Sequence, residues 1–137
     1  MNWHSKATGL YALSDGKLGL AGIVITPTDD LRRVQQQVIG AISPFATPEG
    51  TAAAFAPRPD GEEIGAATVD YVKGFIGART GQNYNAHLTV GIGTHDFVET
   101  LKAEPFESFP VRAVSVSLYQ LGDYGTARKK LEHLHDC

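Results

Sequence analysis

Apolar and polar positions alternate most regularly in Asn85-Ala86-His87-Leu88-Thr89-Val90-Gly91-Ile92-Gly93. Read as a β-strand, successive side chains take opposite faces. Leu88, Val90 and Ile92 then point toward a core, while His87, Thr89, Gly91 and Gly93 share the other face. Nearer the start, residues 7–14 and 17–26 read as two strands flanking Asp15-Gly16, a dipeptide that signals a tight hairpin between apolar runs. Past Pro27 the period changes. Leu31, Val34, Val38, Ala41 and Ile42 fall on one helical stripe, with Arg32, Arg33, Gln35, Gln36 and Gln37 mostly outside it. Thr28 is placed to cap this helix, Asp29 and Asp30 sit in its first turn where the dipole favours acids, and Ser43-Pro44 ends it.

Residues 50–56 fit either strand or loop, and 57–61 read as loop. A second helix over 62–78 rests on Ile64, Ala67, Tyr71, Val72 and Phe75, and its glycines cost it up to about 1 kcal/mol each. Thr94 can cap a short helix carrying Phe97, Val98 and Leu101, closed by Pro105. Val111 to Leu121 predicts one long strand, with Val114, Val116 and Leu118 on one face and Ser115, Ser117 and Tyr119 on the other. After a hairpin loop at 122–125, Thr126 to Leu134 returns as an antiparallel edge strand rich in Lys and Arg, with a helix as the alternative. The sum is an α+β domain, 1–137, with a mainly antiparallel sheet and two to three helices.

Composition narrows the classes. A chain of 137 residues, 42% apolar and 20% charged, is ordinary for one soluble globular domain. A formal charge of −3 supplies no basic field for duplex nucleic acid, but leaves room for a small phosphate-bearing ligand held by local donors. The single cysteine, Cys137, allows no intrachain disulfide, so a reducing cytoplasm is expected and a reactive-thiol role is not. No targeting signal is visible, and the longest apolar run, Leu18 to Ile25, is too short to span a bilayer, so no membrane partner is expected.

Other candidate motifs fail on spacing. Asp15-Gly16-Lys17-Leu18 lacks the upstream glycine and the trailing hydroxyl of a phosphate loop, and Gly91-Ile92-Gly93 lacks the third glycine of a dinucleotide fingerprint. His133, His135 and Asp136 crowd the C-terminus with ligand-like spacing that also describes a solvated tail, so no metal and no cofactor are expected. What remains is the polar face of the 85–93 strand. His87 and Thr89 lie about 6.5–7 Å apart along it. Strand glycines beside them imply a close approach of something to the backbone. An imidazole in a half-buried strand can also be purely structural, satisfied by one hydrogen bond.

With the strands in place, Asn85-Ala86-His87-Leu88-Thr89-Val90-Gly91 resembles the second His-x-Thr motif of the 2H phosphoesterases, which include bacterial RNA 2',5'-ligase-like proteins and cyclic nucleotide phosphodiesterases. Gly19 to Ile25 with its following helix, Gly50 to Phe55, Asp70-Tyr71-Val72 and Ala103-Glu104-Pro105-Phe106 resemble one bacterial branch. Ser115 to Leu131 is similar to the family's closing strand pair, so the resemblance covers nearly the whole chain. It implies a two-lobed fold with one such motif per lobe, two imidazoles serving as acid and base, two hydroxyls holding phosphate oxygens, and no metal. His87 would then be a general acid/base and Thr89 a phosphate ligand, and Tyr119 could stack on a base of the substrate.

Two departures stand out. His87-Leu88-Thr89 is the only His-x-Ser/Thr in the sequence, and Ala86 stands where the family pattern has proline. Set against the family, the chain begins near its middle, and the expected consequence is half of an acid/base pair per monomer. Three readings follow: a 2H-type enzyme acting on 2',3'-cyclic nucleotides or RNA ends, a non-catalytic module that binds a nucleotide or RNA end, and an inactive remnant. Apolar surface left uncovered by a missing lobe makes a homodimer the expected protein partner.

Overall fold

The computed structural model describes residues 3–14 and 16–136. It is an α+β fold: a curled antiparallel four-stranded sheet in the order β3-β2-β1-β4, a separate antiparallel ribbon β5-β6, and three α-helices. β1 (His4–Ser14) and β2 (Leu18–Ile25) form the expected hairpin, with Ser14 opposite Gly19. Its turn needs a backbone that L side chains rarely adopt, and Gly16 supplies it at φ +93°. Asp15, the other half of that turn signal, and Cys137 lie outside the described residues.

Helix α1 (Asp29–Ile42) starts where its sequence says it should, since the Thr28 hydroxyl accepts from the Leu31 N–H at 3.3 Å. The helix is shallowly docked. Leu31 packs on the core, but Val38 and Ile42 are about half exposed, so the apolar stripe is only partly used. Helix α2 (Ala66–Arg79) begins later than its periodicity predicts, because 61–65 take no regular structure, and Gly65 at the cap offers no side chain. The cap comes from far along the chain. Asp123 accepts from the Gly65 N–H at 3.2 Å and from the Thr68 hydroxyl at 2.7 Å. Residues 50–56 resolve as loop with a 3-10 turn at Ala52–Ala54. Helix α3 (His95–Lys102) is capped by Thr94, and Val98 on it is the largest fully buried side chain among the described residues, 2% exposed.

The single strand predicted over 111–121 is in fact two. β4 (Phe109–Arg112) pairs with β1, and β5 (Ser115–Leu121) pairs with β6 (Ala127–Asp136) in the other sheet. Residues 113–114 break the strand between them. Three register shifts between β5 and β6 also interrupt the strict alternation expected there. The return segment is a fully exposed strand rather than a helix, with Arg128, Lys129 and Lys130 on it. At its end His133 Nε2 lies 3.0 Å from the Asp136 carboxylate, and no cluster of three metal-ligating side chains forms among the described residues.

The core lies on one face of the four-stranded sheet. Ala7, Ile25 and Ala86 are buried there, with Ile23, Leu31, Tyr84, Phe106 and Val111 packed against them. No helix among the described residues is long and apolar enough to cross a membrane.

Candidate functional site

Residues paired directly across an antiparallel sheet put their side chains on the same face. β3 (His87–Thr94) is the edge strand beside β2, with Val24 opposite His87 and Gly22 opposite Thr89. On the far side of β2, Gly22 faces Tyr11 of β1. Tyr11, Gly22, Thr89, Val24 and His87 therefore share one face, opposite to the face carrying Ile23 and Ile25 of the core.

This face differs from the expected one in two ways. A bulge falls at Val90, because Thr89 pairs with Gly22 and Gly91 with Ala21, leaving two β3 steps against one on β2. The slip reverses the faces beyond it. Gly91 and Gly93 line up with Ala21 and Gly19 on the helix side, and a Cβ on Gly93 would lie 3.1 Å from Phe97 and 3.5 Å from Val98. They do not widen the face that holds His87. Leu88, Val90 and Ile92 are also not buried, being 44%, 58% and 44% exposed, because an edge strand has no neighbour to cover it.

The second difference adds a residue. The ring of Tyr11 crosses over Gly22, where a Cβ would lie 2.2 Å from its Cε1 and 2.5 Å from its Oη. That passage carries the phenol across β2 toward Thr89, which is paired with Gly22. The same ring meets His87 in a T-shaped arrangement, with centroids 5.5 Å apart and planes at 84°. Burial pushes the Tyr11 hydroxyl above its ordinary range, outweighing the opposing effect of the nearby Thr89 hydroxyl, and a charged Tyr71 on α2 would raise it a little further. Tyr11 is thus held protonated at any ordinary pH. Reasoning from sequence missed it. The available signal was Gly22, a glycine inside an apolar strand, which marks a place where something passes close to the backbone.

The imidazole has a defined tautomer. His87 Nδ1 lies 2.8 Å from the backbone carbonyl of Asn85, and a carbonyl only accepts, so Nδ1 carries the proton. Neutral His87 then presents the lone pair of Nε2. His87 and Thr89 are both exposed. The arrangement offers one proton acceptor and two hydroxyls on one face of the sheet.

Tyr119 stands elsewhere, on the β5-β6 ribbon opposite Lys130, and 39% exposed. Among the described residues no hydrogen bond or ring contact joins it to His87, Thr89 or Tyr11. Two surface hollows, of about 410 and 240 Å³, lie at Arg32, Gln36, Gly81 and Gln82 and between Leu18, Ile92, the 56–60 loop and the ribbon turn. Neither is lined by His87 or Thr89, both of which are exposed. No family model, no curated protein and no solved structure matches this chain.

Proposed function

We propose that the chain acts as a 2H-type phosphoesterase on 2',3'-cyclic nucleotides or RNA ends, with His87 as general acid/base and Thr89 as a ligand to a phosphate oxygen. The observation that carries this reading is the fixed imidazole. Asn85 holds Nδ1–H, so the exposed Nε2 is free to take a proton from water, beside a hydroxyl on the same face. Imidazole is the side chain most often used as general acid or base. In hydrolysis, water would attack phosphorus and give its proton to Nε2 of His87, while the P–O bond to one ribose oxygen breaks and that oxygen takes a proton from a solvent water; the proton on His87 then returns to solvent. Thr89 would donate to a non-bridging oxygen. Tyr119 remains in the proposal as a base-stacking residue, on the ribbon. The chemistry asks for no metal or cofactor, and a reducing cytoplasm suits a chain with one cysteine.

A second reading, a module that holds a nucleotide or RNA end without turnover, is favoured by the presence of a single His-x-Thr in the sequence. The homodimer expectation keeps a basis in β3. Its residues 88–94 carry no charge, so two copies can pair there without repulsion, whereas β4 carries Pro110 and Arg112, and β6 three successive cations. Sedimentation over a concentration series, with Val90→Lys as the control, checks this: association lost in the variant supports pairing through β3. Hydrolysis of 2',3'-cyclic nucleotides tests the main reading. One positioned proton transfer is typically worth about 10²- to 10⁴-fold, so His87→Ala should lose at least about a hundredfold. Binding of 3'-nucleotide without turnover selects the second reading, and neither binding nor turnover rejects both.

A further inference from the structure

We infer that the hollow of about 240 Å³ between the sheet and the turn of the β5-β6 ribbon receives a nucleobase, that of the nucleotide whose phosphate meets Thr89; the choice of ligand rests on the reading above. Leu18 of β2 and Ile92 of β3 line one side of the hollow, and the 56–60 loop and the ribbon turn line the other. Strand register puts Ile92 on the face that carries His87 and Thr89. Ile92 pairs with Leu20 and Thr89 with Gly22, two residues apart on β2, so about 6.5–7 Å separates the two pairs along that face. Leu18 lies two residues further on the same side of β2. One small molecule can therefore reach both Thr89 and the hollow. The space is smaller than the roughly 300–1,000 Å³ of sites for drug-sized ligands, and suits a single flat ring system.

The ribbon side offers what a base binds. Tyr124 lines the hollow, is 37% exposed and can supply an aromatic face for stacking. It stands in the left-handed region at φ 59°, which is unfavourable for a tyrosine and easy for glycine. Two acceptors hold it there, because its N–H donates to the Thr68 hydroxyl oxygen and to the Asp123 carboxylate, both at 3.1 Å. A strained backbone kept beside a hollow, where glycine would fit without strain, points to a use for the ring. Both acids of this wall, Asp60 and Asp123, are held by Arg58, at 2.6 and 2.7 Å. Arg128 is exposed and forms no ion pair among the described residues, so its guanidinium can stack on a base or donate to its edge. Its stem lies against Gly122, where a Cβ would lie 2.9 Å from the Arg128 Cβ. Tyr119 does not line the hollow, so its stacking role falls to a second base of a longer substrate.

Titration with adenosine 3'-monophosphate, adenosine and inorganic phosphate reads the two halves apart, through the methyl NMR signals of Leu18 and Ile92 and the imidazole signals of His87. The nucleotide should move both sets, adenosine the methyl set and phosphate the imidazole set. Tyr124→Gly removes the ring from a backbone that glycine adopts freely. It should bind the nucleotide at least about fivefold more weakly, the worth of one stacked base, with phosphate affinity unchanged. Tyr124→Phe should bind like the parent, because stacking needs only the ring. Arg128→Gln, an exposed change that breaks no ion pair, should weaken adenosine and the nucleotide more than phosphate. A tyrosine kept only for packing would instead lower the Tm of Tyr124→Gly and leave the nucleotide affinity of the folded protein as it was. If the nucleotide moves His87 but neither Leu18 nor Ile92, or if Tyr124→Gly binds it as tightly as the parent, the hollow is not the base site and the phosphoesterase reading stands. If adenosine moves the methyl signals while neither nucleotide nor phosphate moves His87, the phosphate reading falls and the hollow remains a nucleoside site. No movement in either set overturns both.

Discussion

Replacing Asp123 with alanine should loosen the β5-β6 ribbon from the rest of the molecule. The Asp123 carboxylate is 11% exposed and joins three segments far apart in sequence. It accepts from Arg58 at 2.7 Å, from the Thr68 hydroxyl at 2.7 Å, from the Gly65 N–H at 3.2 Å and from the Tyr124 N–H at 3.1 Å. Few other bonds tie the ribbon down, chiefly Ala56 N–H to Leu121 C=O at 2.8 Å and Gln120 to Ala54 C=O at 3.0 Å. Breaking a buried ion pair from one side costs about 3–5 kcal/mol when the survivor is stranded. Here Arg58 keeps Asp60 at 2.6 Å, the Tyr124 N–H keeps the Thr68 oxygen at 3.1 Å, and water can reach Gly65. The losses that remain are the charge-assisted bond from Arg58 and the bond from Thr68, together about 3 kcal/mol. For a domain of this size that corresponds to a Tm lower by about 10 °C. Urea unfolding followed by circular dichroism gives the first number, and amide exchange over 115–136 should show the ribbon opening ahead of the main sheet. A Tm within about 2 °C of the parent, with ribbon exchange unchanged, would refute the reasoning.

The same carboxylate sets an acid limit. Desolvation pulls the Asp123 pKa up, but the bonds from Thr68, Arg58, Gly65 and Tyr124 together outweigh it and leave it below the ordinary 3.8. A depressed folded-state value stabilises the fold above the unfolded pKa and is lost as pH falls toward the folded one. Ribbon exchange should therefore accelerate below about pH 4, and Asp123→Asn, which has no proton to gain, should flatten that part of the curve.

Three further outcomes are expected. Val98→Ala empties the space between α3 and the glycines of β2 and β3, and should cost about 2 kcal/mol in urea unfolding. Thr28→Ala removes the bond to Leu31 N–H, and should cost about 1 kcal/mol with the exchange of the first turn of α1 most affected. In an ultraviolet titration Tyr11 and Tyr84, both raised chiefly by burial, should ionise above pH 10.0, with Tyr11→Phe removing one of the late steps; since their folded values are raised, their contribution to stability is lost as pH climbs through them.

Local chemistry alone carried much of the fold into view. The turn at Gly16, the caps at Thr28 and Thr94, the strand from His87 and the closing hairpin all depend on residues within a few positions of one another, and backbone preferences act at that range. His87 and Thr89 sharing a face follows from the two-residue period and needs no knowledge of neighbours. What required the third dimension was every property set by a partner strand. The bulge at Val90 turned Gly91 and Gly93 to the opposite face, the edge position left Leu88, Val90 and Ile92 exposed, and the chain over 111–121 divided between two sheets. Asp123 caps α2 from 58 residues beyond Gly65, and the ring of Tyr11 lies over Gly22 of the neighbouring strand and meets His87. Pairing across strands joins residues that are distant along the chain, and no periodicity in the sequence encodes which distant residues meet; only packing decides that.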